Sequence, residues 1–141
     1  MDKFDLYAAE YSKLVLELND YDKASNIINN KGYDFKVSVN LGKKIHRVAV
    51  KLIDLDLEKF ITLLDNKNIA IRGNCAEYLY PLFPKKCLRI LCEFEKSINN
   101  EIDRIKIHSK IVGLQRNDKF FIELYKKLYK VEDLSMLNRE K

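Results

Sequence analysis

His46 and His108 are the only histidines in the chain. Acid–base or nucleophilic catalysis needs a titratable group with an orienting partner in a pocket. The two rings fall in separate helical segments, neither in an HExxH pattern nor beside an acid at an orienting spacing. A surface or packing role is expected for both. Cys75, Cys87 and Cys92 are odd in number and lack CxxC spacing. They sit inside helical apolar patterns, which points to buried thiols rather than metal ligands or a nucleophile. Phosphate cradles need clustered glycines, and Gly32, Gly42, Gly73 and Gly113 are scattered. No catalytic residue, metal or cofactor is expected from this set. Arg72 is left, near the start of an Ile-x-x-x-Cys-Ala-x-x-Leu run in LLDNKNIAIRGNCAEYLYPL, residues 63 to 82. Either it begins an active site or it fixes a helical hairpin, and the surrounding elements decide between these.

A chain of 141 residues fits a single domain, 1–141, with a core that needs no staples. With 47% apolar residues, 33% charged residues, four Gly and two Pro, its composition argues against disorder and a turn-rich sandwich and favours helices. An all-α fold is expected. The start MDKFDLYAAEYSK lacks the features of a secretory signal, and no apolar run is long enough to span a bilayer, so a cytoplasmic protein is expected. The formal charge of +5 is uneven: residues 1–35 hold four Lys and seven Asp or Glu, which leaves +8 for the rest. Such asymmetry marks a basic surface for nucleic acid or an acidic partner, or a plain solvated face.

Apolar positions at three- and four-residue spacing predict the helices. Phe4, Tyr7, Tyr11, Leu14, Val15 and Leu18 predict the first, over about 3–18. Asp20 is a candidate N-cap for a short second helix with Ala24, Ile27 and Ile28, ending near Gly32. YDFKVSVN, residues 33–40, reads as a loop or an early helix start. Helices are then expected over 41–53, over 57–64 behind an Asp56 N-cap, and over 69–82. The pair Pro81 and Pro84 breaks the chain before another helix to about Ser97. Two more run over 101–114 and 118–129, making seven or eight in all. An irregular repeat runs through them: Phe60 and Leu64 match Leu88 and Cys92, and Arg72, Leu79 and Leu82 match Arg104, Ile111 and Leu114. Val48, Ala49 and Leu52 match Cys75, Ala76 and Leu79. Tandem helix pairs of this kind form α-solenoids.

Leu63, Leu64, Asp65, Ile71, Arg72, Cys75, Ala76 and Leu79 together resemble a HEAT repeat. The chain over residues 5–115 is also similar to short bacterial HEAT-like proteins. The resemblance implies a short right-handed solenoid of helical hairpins. It also implies structural roles for Asp65 and Arg72, the arginine bonding to the turn acid or to a carbonyl.

On that register the second helices form a concave ridge. It carries His46, Arg47 and Lys51, then Asn74, Glu77 and Tyr78, then Lys106, Ser109 and Lys110. Arg and Tyr suit an interface because they combine apolar area with directional bonds. The first functional expectation is a non-enzymatic protein-binding module that covers an acidic patch on a partner, as immunity or inhibitor proteins cover a toxin. The alternative is nucleic-acid binding through the basic concave face. Self-assembly through uncapped ends is a third. The C-terminal FFIELYKKLYKVEDL either caps the stack through Phe120, Phe121, Leu124, Leu128 and Val131, or turns Tyr125, Tyr129 and its lysines toward nucleic acid.

Overall fold

The computed structural model describes residues 2–24 and 35–140. Among them the chain is all α, with seven helices, two short 3-10 segments and no strand. Helix α1 spans Lys3–Ala24, and Asp20 lies inside it rather than capping a new helix. Nothing between Leu18 and Ala24 breaks a helix, and Tyr21 extends the apolar face of Tyr7, Tyr11, Leu14 and Leu18 onto the core. Ile27, Ile28 and Gly32 lie outside the described residues. Helix α2, Phe35–Leu55, starts before Leu41, so the described part of YDFKVSVN is helical. A lone extended segment would have no partner to satisfy its backbone.

Side-chain caps set the next boundaries. Asp56 Oδ1 accepts from Lys59 N at 3.1 Å and opens α3, Leu57–Ile61, which tightens into a 3-10 turn over Thr62–Asp65. Asn68 Oδ1 accepts from Ala70 N and Ile71 N at 2.8 and 3.1 Å, opening α4, Ile69–Leu79. Pro84 occupies the first turn of α5, Pro84–Ser97, where its missing N–H leaves no helix bond unmade. Asn100 caps α6, Glu101–Gln115, through Ile102 N and Asp103 N. Helix α7, Lys119–Tyr129, ends where Lys130 takes a left-handed conformation, φ 56°.

Helix α1 packs along α2, α4 along α5, and α5 along α6; α1 also lies against α4. Helix α4 is therefore enclosed: Ala70, Ile71, Gly73, Cys75, Ala76, Tyr78 and Leu79 are buried, on every side of its axis. Such a helix must be covered all round. Gly73 permits the α4–α5 approach, since a Cβ there would stand 2.6 Å from Phe94 Cδ2. The core continues through Tyr11, Leu52, Phe60, Leu64, Leu82, Leu91 and Leu114.

The end of the chain is tied down. Arg139 N donates to Leu82 O at 2.8 Å, and Arg139 Nη1 reaches Glu58 Oε1 at 2.6 Å. Phe83 offers no cap to α5, and the Glu140 carboxylate accepts from Lys85 N and Lys86 N at 2.7 and 3.0 Å instead. Of the residues expected to cap the stack, Leu128 is buried while Phe120 is 70% exposed. Leu79→Ala is expected to lower stability by about 2–5 kcal/mol, because the side chain is fully enclosed. Phe120→Ala should stay within about 0.5 kcal/mol of the parent. Urea unfolding distinguishes the two.

Candidate partner-binding surface

Each residue of the expected ridge has a definite place. His46 faces α4: its Nδ1 lies 3.2 Å from the Tyr78 hydroxyl, with the rings stacked at 5.8 Å. One residue further, the helix has turned about 100°. Arg47 and Lys51 accordingly lie exposed on the outer side of α2. The Lys51 ammonium stands 5.0 Å from the centre of the Tyr7 ring on α1.

The three α4 residues differ from the expectation. Asn74 Oδ1 accepts from the Tyr11 hydroxyl at 2.5 Å, and Glu77 Oε1 pairs with Lys110 Nζ at 2.7 Å. Tyr78 is 9% exposed. All three are already bonded to α1, α2 or α6, because the α1–α2 pair lies against the face of α4 that the repeat register assigns to a partner. On α6, Lys106 Nζ is 3.8 Å from Asp103 Oδ1, and Ser109 is exposed. The structure thus joins His46 to Tyr78 and Glu77 to Lys110 across α2, α4 and α6. It leaves Arg47, Lys51, Lys106 and Ser109 at the surface.

Arg72 holds the turn, but not through Asp65. Its Nη1 donates to Asn66 O and Lys67 O at 2.8 and 3.2 Å, and Nη2 reaches Glu93 Oε1 on α5 at 3.4 Å. The turn after the 3-10 segment leaves those two carbonyls without helical partners, and the first turn of α4 brings the guanidinium to them. Asp65 faces solvent and meets Lys86 Nζ at 3.4 Å. His108 Nδ1 lies 2.8 Å from Glu95 Oε1 at the surface, far in sequence from His46 and bonded to a different helix.

Tyr125 and Tyr129 do not face outward. Their hydroxyls donate to Glu77 O and, at 2.6 Å, to Tyr78 O. Those carbonyls belong to the last turn of α4, which has no intrahelical donors for them. Burial pushes both phenols well above their ordinary pKa. Burial also pushes the Cys75 and Cys87 thiols up to about 12, the reverse of an activated nucleophile. The Glu77 carboxylate raises the Lys110 pKa. Asp103 is the buried acid; desolvation, then the Asp22 charge, raises its pKa. Its Oδ2 accepts from Asn100 Nδ2 at 3.0 Å, and its Oδ1 accepts no hydrogen bond.

Among the described residues, no three His, Cys, Asp or Glu side chains group to hold a metal, and no helix is long and apolar enough to cross a membrane. A cavity of about 220 Å³ between the α4–α5 turn and α7 is lined by Tyr80, Pro81, Leu114, Phe121, Tyr125 and Leu134, with no acid, imidazole or thiol in its wall.

Two exposed features go beyond the ridge expected from the sequence, although Arg47 and Lys51 belong to both the ridge and the second feature. Ile102 and Ile105 on α6 are each 59% exposed and share one face with Ser109. Their spacing holds the signal, since they lie off the Ile107, Ile111 and Leu114 face that meets the core. The second feature is an outer row of cations on α2. Compared with protein-family models, with curated proteins and with solved structures, the chain finds no match.

Only Cys92, the one partly exposed thiol, is expected to react quickly with a disulfide reagent at about pH 8. Unfolding should release all three, and colour yield before and after denaturant counts them. Asp103 carries a folded-state pKa above its unfolded value. Its contribution is favourable at low pH and is lost as pH rises through the folded value. Asp103→Asn should therefore stabilise the protein at neutral pH, with the gain shrinking as pH falls toward 4. Thermal unfolding across pH measures the crossover.

Proposed function

We propose that this chain is a HEAT-like, non-enzymatic protein-binding module that covers a partner's surface, in the manner of an inhibitor or immunity protein. The observation that carries the reading is α6. Ile102 and Ile105 stand in solvent there at one-turn spacing, between the exposed Arg104 and Lys106 and beside Ser109. Apolar side chains ringed by polar ones are the makings of an interface core and rim. The flanking cations favour a partner with an acidic patch. The high pKa values of the buried thiols and the absence of acid, base or thiol around the α7 cavity support a role without covalent chemistry.

The concave face as a nucleic-acid site has weaker support. Its aromatic floor, Tyr78, is buried, and Glu77 places a carboxylate in it. Base stacking needs exposed rings.

A partner captured by the intact chain from its native host should cross-link to Lys106 or Lys110. Its affinity should fall at least about tenfold, or about 1.4 kcal/mol, with the double variant Ile102→Glu and Ile105→Glu. Unchanged affinity of that partner for the double variant, measured by calorimetry with the variant's helicity intact, would remove α6 as the docking face.

A further inference from the structure

The outer row of cations on α2 is a surface that the docking of a protein on α6 does not use. Lys36, Asn40, Lys43, Arg47 and Lys51 recur at three- and four-residue spacing, with Lys44 alongside, and all are exposed. They lie opposite the buried Leu41, Ile45, Val48, Ala49 and Leu52. From Lys36 to Lys51 the row runs about 22 Å at the rise of an α-helix. No acid interrupts it before Asp54.

Within the row, Lys43, Lys44, Arg47 and Lys51 meet no carboxylate among the described residues. Elsewhere Lys59, Arg72, Lys86, Lys106, Lys110, Lys119 and Arg139 each meet a carboxylate, whereas Lys67, Arg89, Arg104, Arg116 and Lys127 are in no ion pair among those residues either; what sets α2 apart is that its cations follow one another along one face with no acid between them. Lys43 with Arg47, and Arg47 with Lys51, are like charges one turn apart, an arrangement that destabilises a helix. A row that breaks this local rule twice, with only the contact of Lys51 with the Tyr7 ring to offset it, is what a functional surface is expected to show.

The chemistry of the row selects its ligand. A protein interface would need an apolar or aromatic centre. Between Lys43 and Lys51 the exposed side chains of α2 are all cationic. Cations repeated at each helical turn match a row of backbone phosphates, and the Arg47 guanidinium can bind two oxygens of one phosphate in its fork. On the neighbouring helix α1 the exposed Glu10, Glu17 and Asp20 are mixed with the exposed Lys3, Lys13 and Lys23, so the uninterrupted cationic row is confined to α2. We propose that the outer face of α2 binds the phosphodiester backbone of nucleic acid without regard to sequence, with Lys43, Lys44, Arg47 and Lys51 as the phosphate contacts.

The test is fluorescence anisotropy with the full chain, a labelled duplex of about 25 base pairs and arbitrary sequence, and labelled polyglutamate as the acidic-polypeptide control. Between about 50 and 200 mM salt, the logarithm of the DNA association constant should fall with a slope of about −3.6, for four phosphate contacts. The triple variant Lys43→Gln, Arg47→Gln, Lys51→Gln should weaken DNA binding at least about tenfold and flatten the slope to about −1. Its melting temperature should equal or exceed that of the parent, because like-charge repulsion is relieved, which separates lost binding from lost folding. The Ile102→Glu, Ile105→Glu variant should bind DNA as the parent does. No DNA binding at about 50 mM salt, unchanged binding by the triple variant, or polyglutamate bound as tightly as DNA would each overturn the assignment. The last outcome would give the face to an acidic protein instead.

Discussion

Helix α4 is buried on all sides, and that enclosure sets what its neighbours must do. A helix with an apolar face can leave its polar groups to water, but α4 has no such side. Its polar atoms are met by other helices: Asn74 by Tyr11 of α1, Tyr78 by His46 of α2, and Glu77 by Lys110 of α6. Two tyrosines of α7 bond its last carbonyls, which would otherwise stand unpaired in the interior. Four helices are thus held to α4 by these bonds, and a fifth, α5, closes against Gly73 through Phe94.

The ends of the helices are satisfied in two ways. Asp56, Asn68 and Asn100 act locally, each capping the helix that follows it in the chain. Helix α5 instead takes a carboxylate from Glu140, and Arg139 beside it grips Glu58 of α3 and Leu82 O. A negative group at a helix N-terminus is favoured by both the free N–H donors and the helix dipole. The last residues of the chain therefore join α3, the α4–α5 turn and α5, although they lie far from all three in sequence.

Charge is distributed by helix. Acids and lysines share the exposed side of α1, cations line that of α2 from Lys36 to Lys51, and α6 mixes cations with two bare isoleucines. Ion pairs join part of the remaining surface, among them Lys59 with Asp2, Lys86 with Asp65 and Arg139 with Glu58. On the proposals above, the α2 row and the α6 isoleucines suit different contacts: a polyanion is held by cations, whereas a protein surface is held by apolar side chains with a polar rim.

That the chain is all α, and where most of its helices begin and end, is legible in the residues alone, because apolar spacing, caps and prolines act within a few residues of one another. The residues also indicated that Cys75 and Cys87 are buried and that Arg72 belongs to a turn. Only the tertiary structure decided that α1 continues past Asp20, where the core draws Tyr21 in. Packing likewise places the side chains of Asn74, Glu77, Tyr78, Tyr125 and Tyr129 in bonds on and around α4. The same letters fit an exposed ridge or an enclosed helix, since periodicity shows that a face exists but not what packs on it. Arg47 and Lys51 were legible as cations, and their place on the outer side of α2 followed only once His46 was seen to meet Tyr78. Glu140 at the start of α5 left no local signal, because a bond between residues so far apart in the chain is made by the fold.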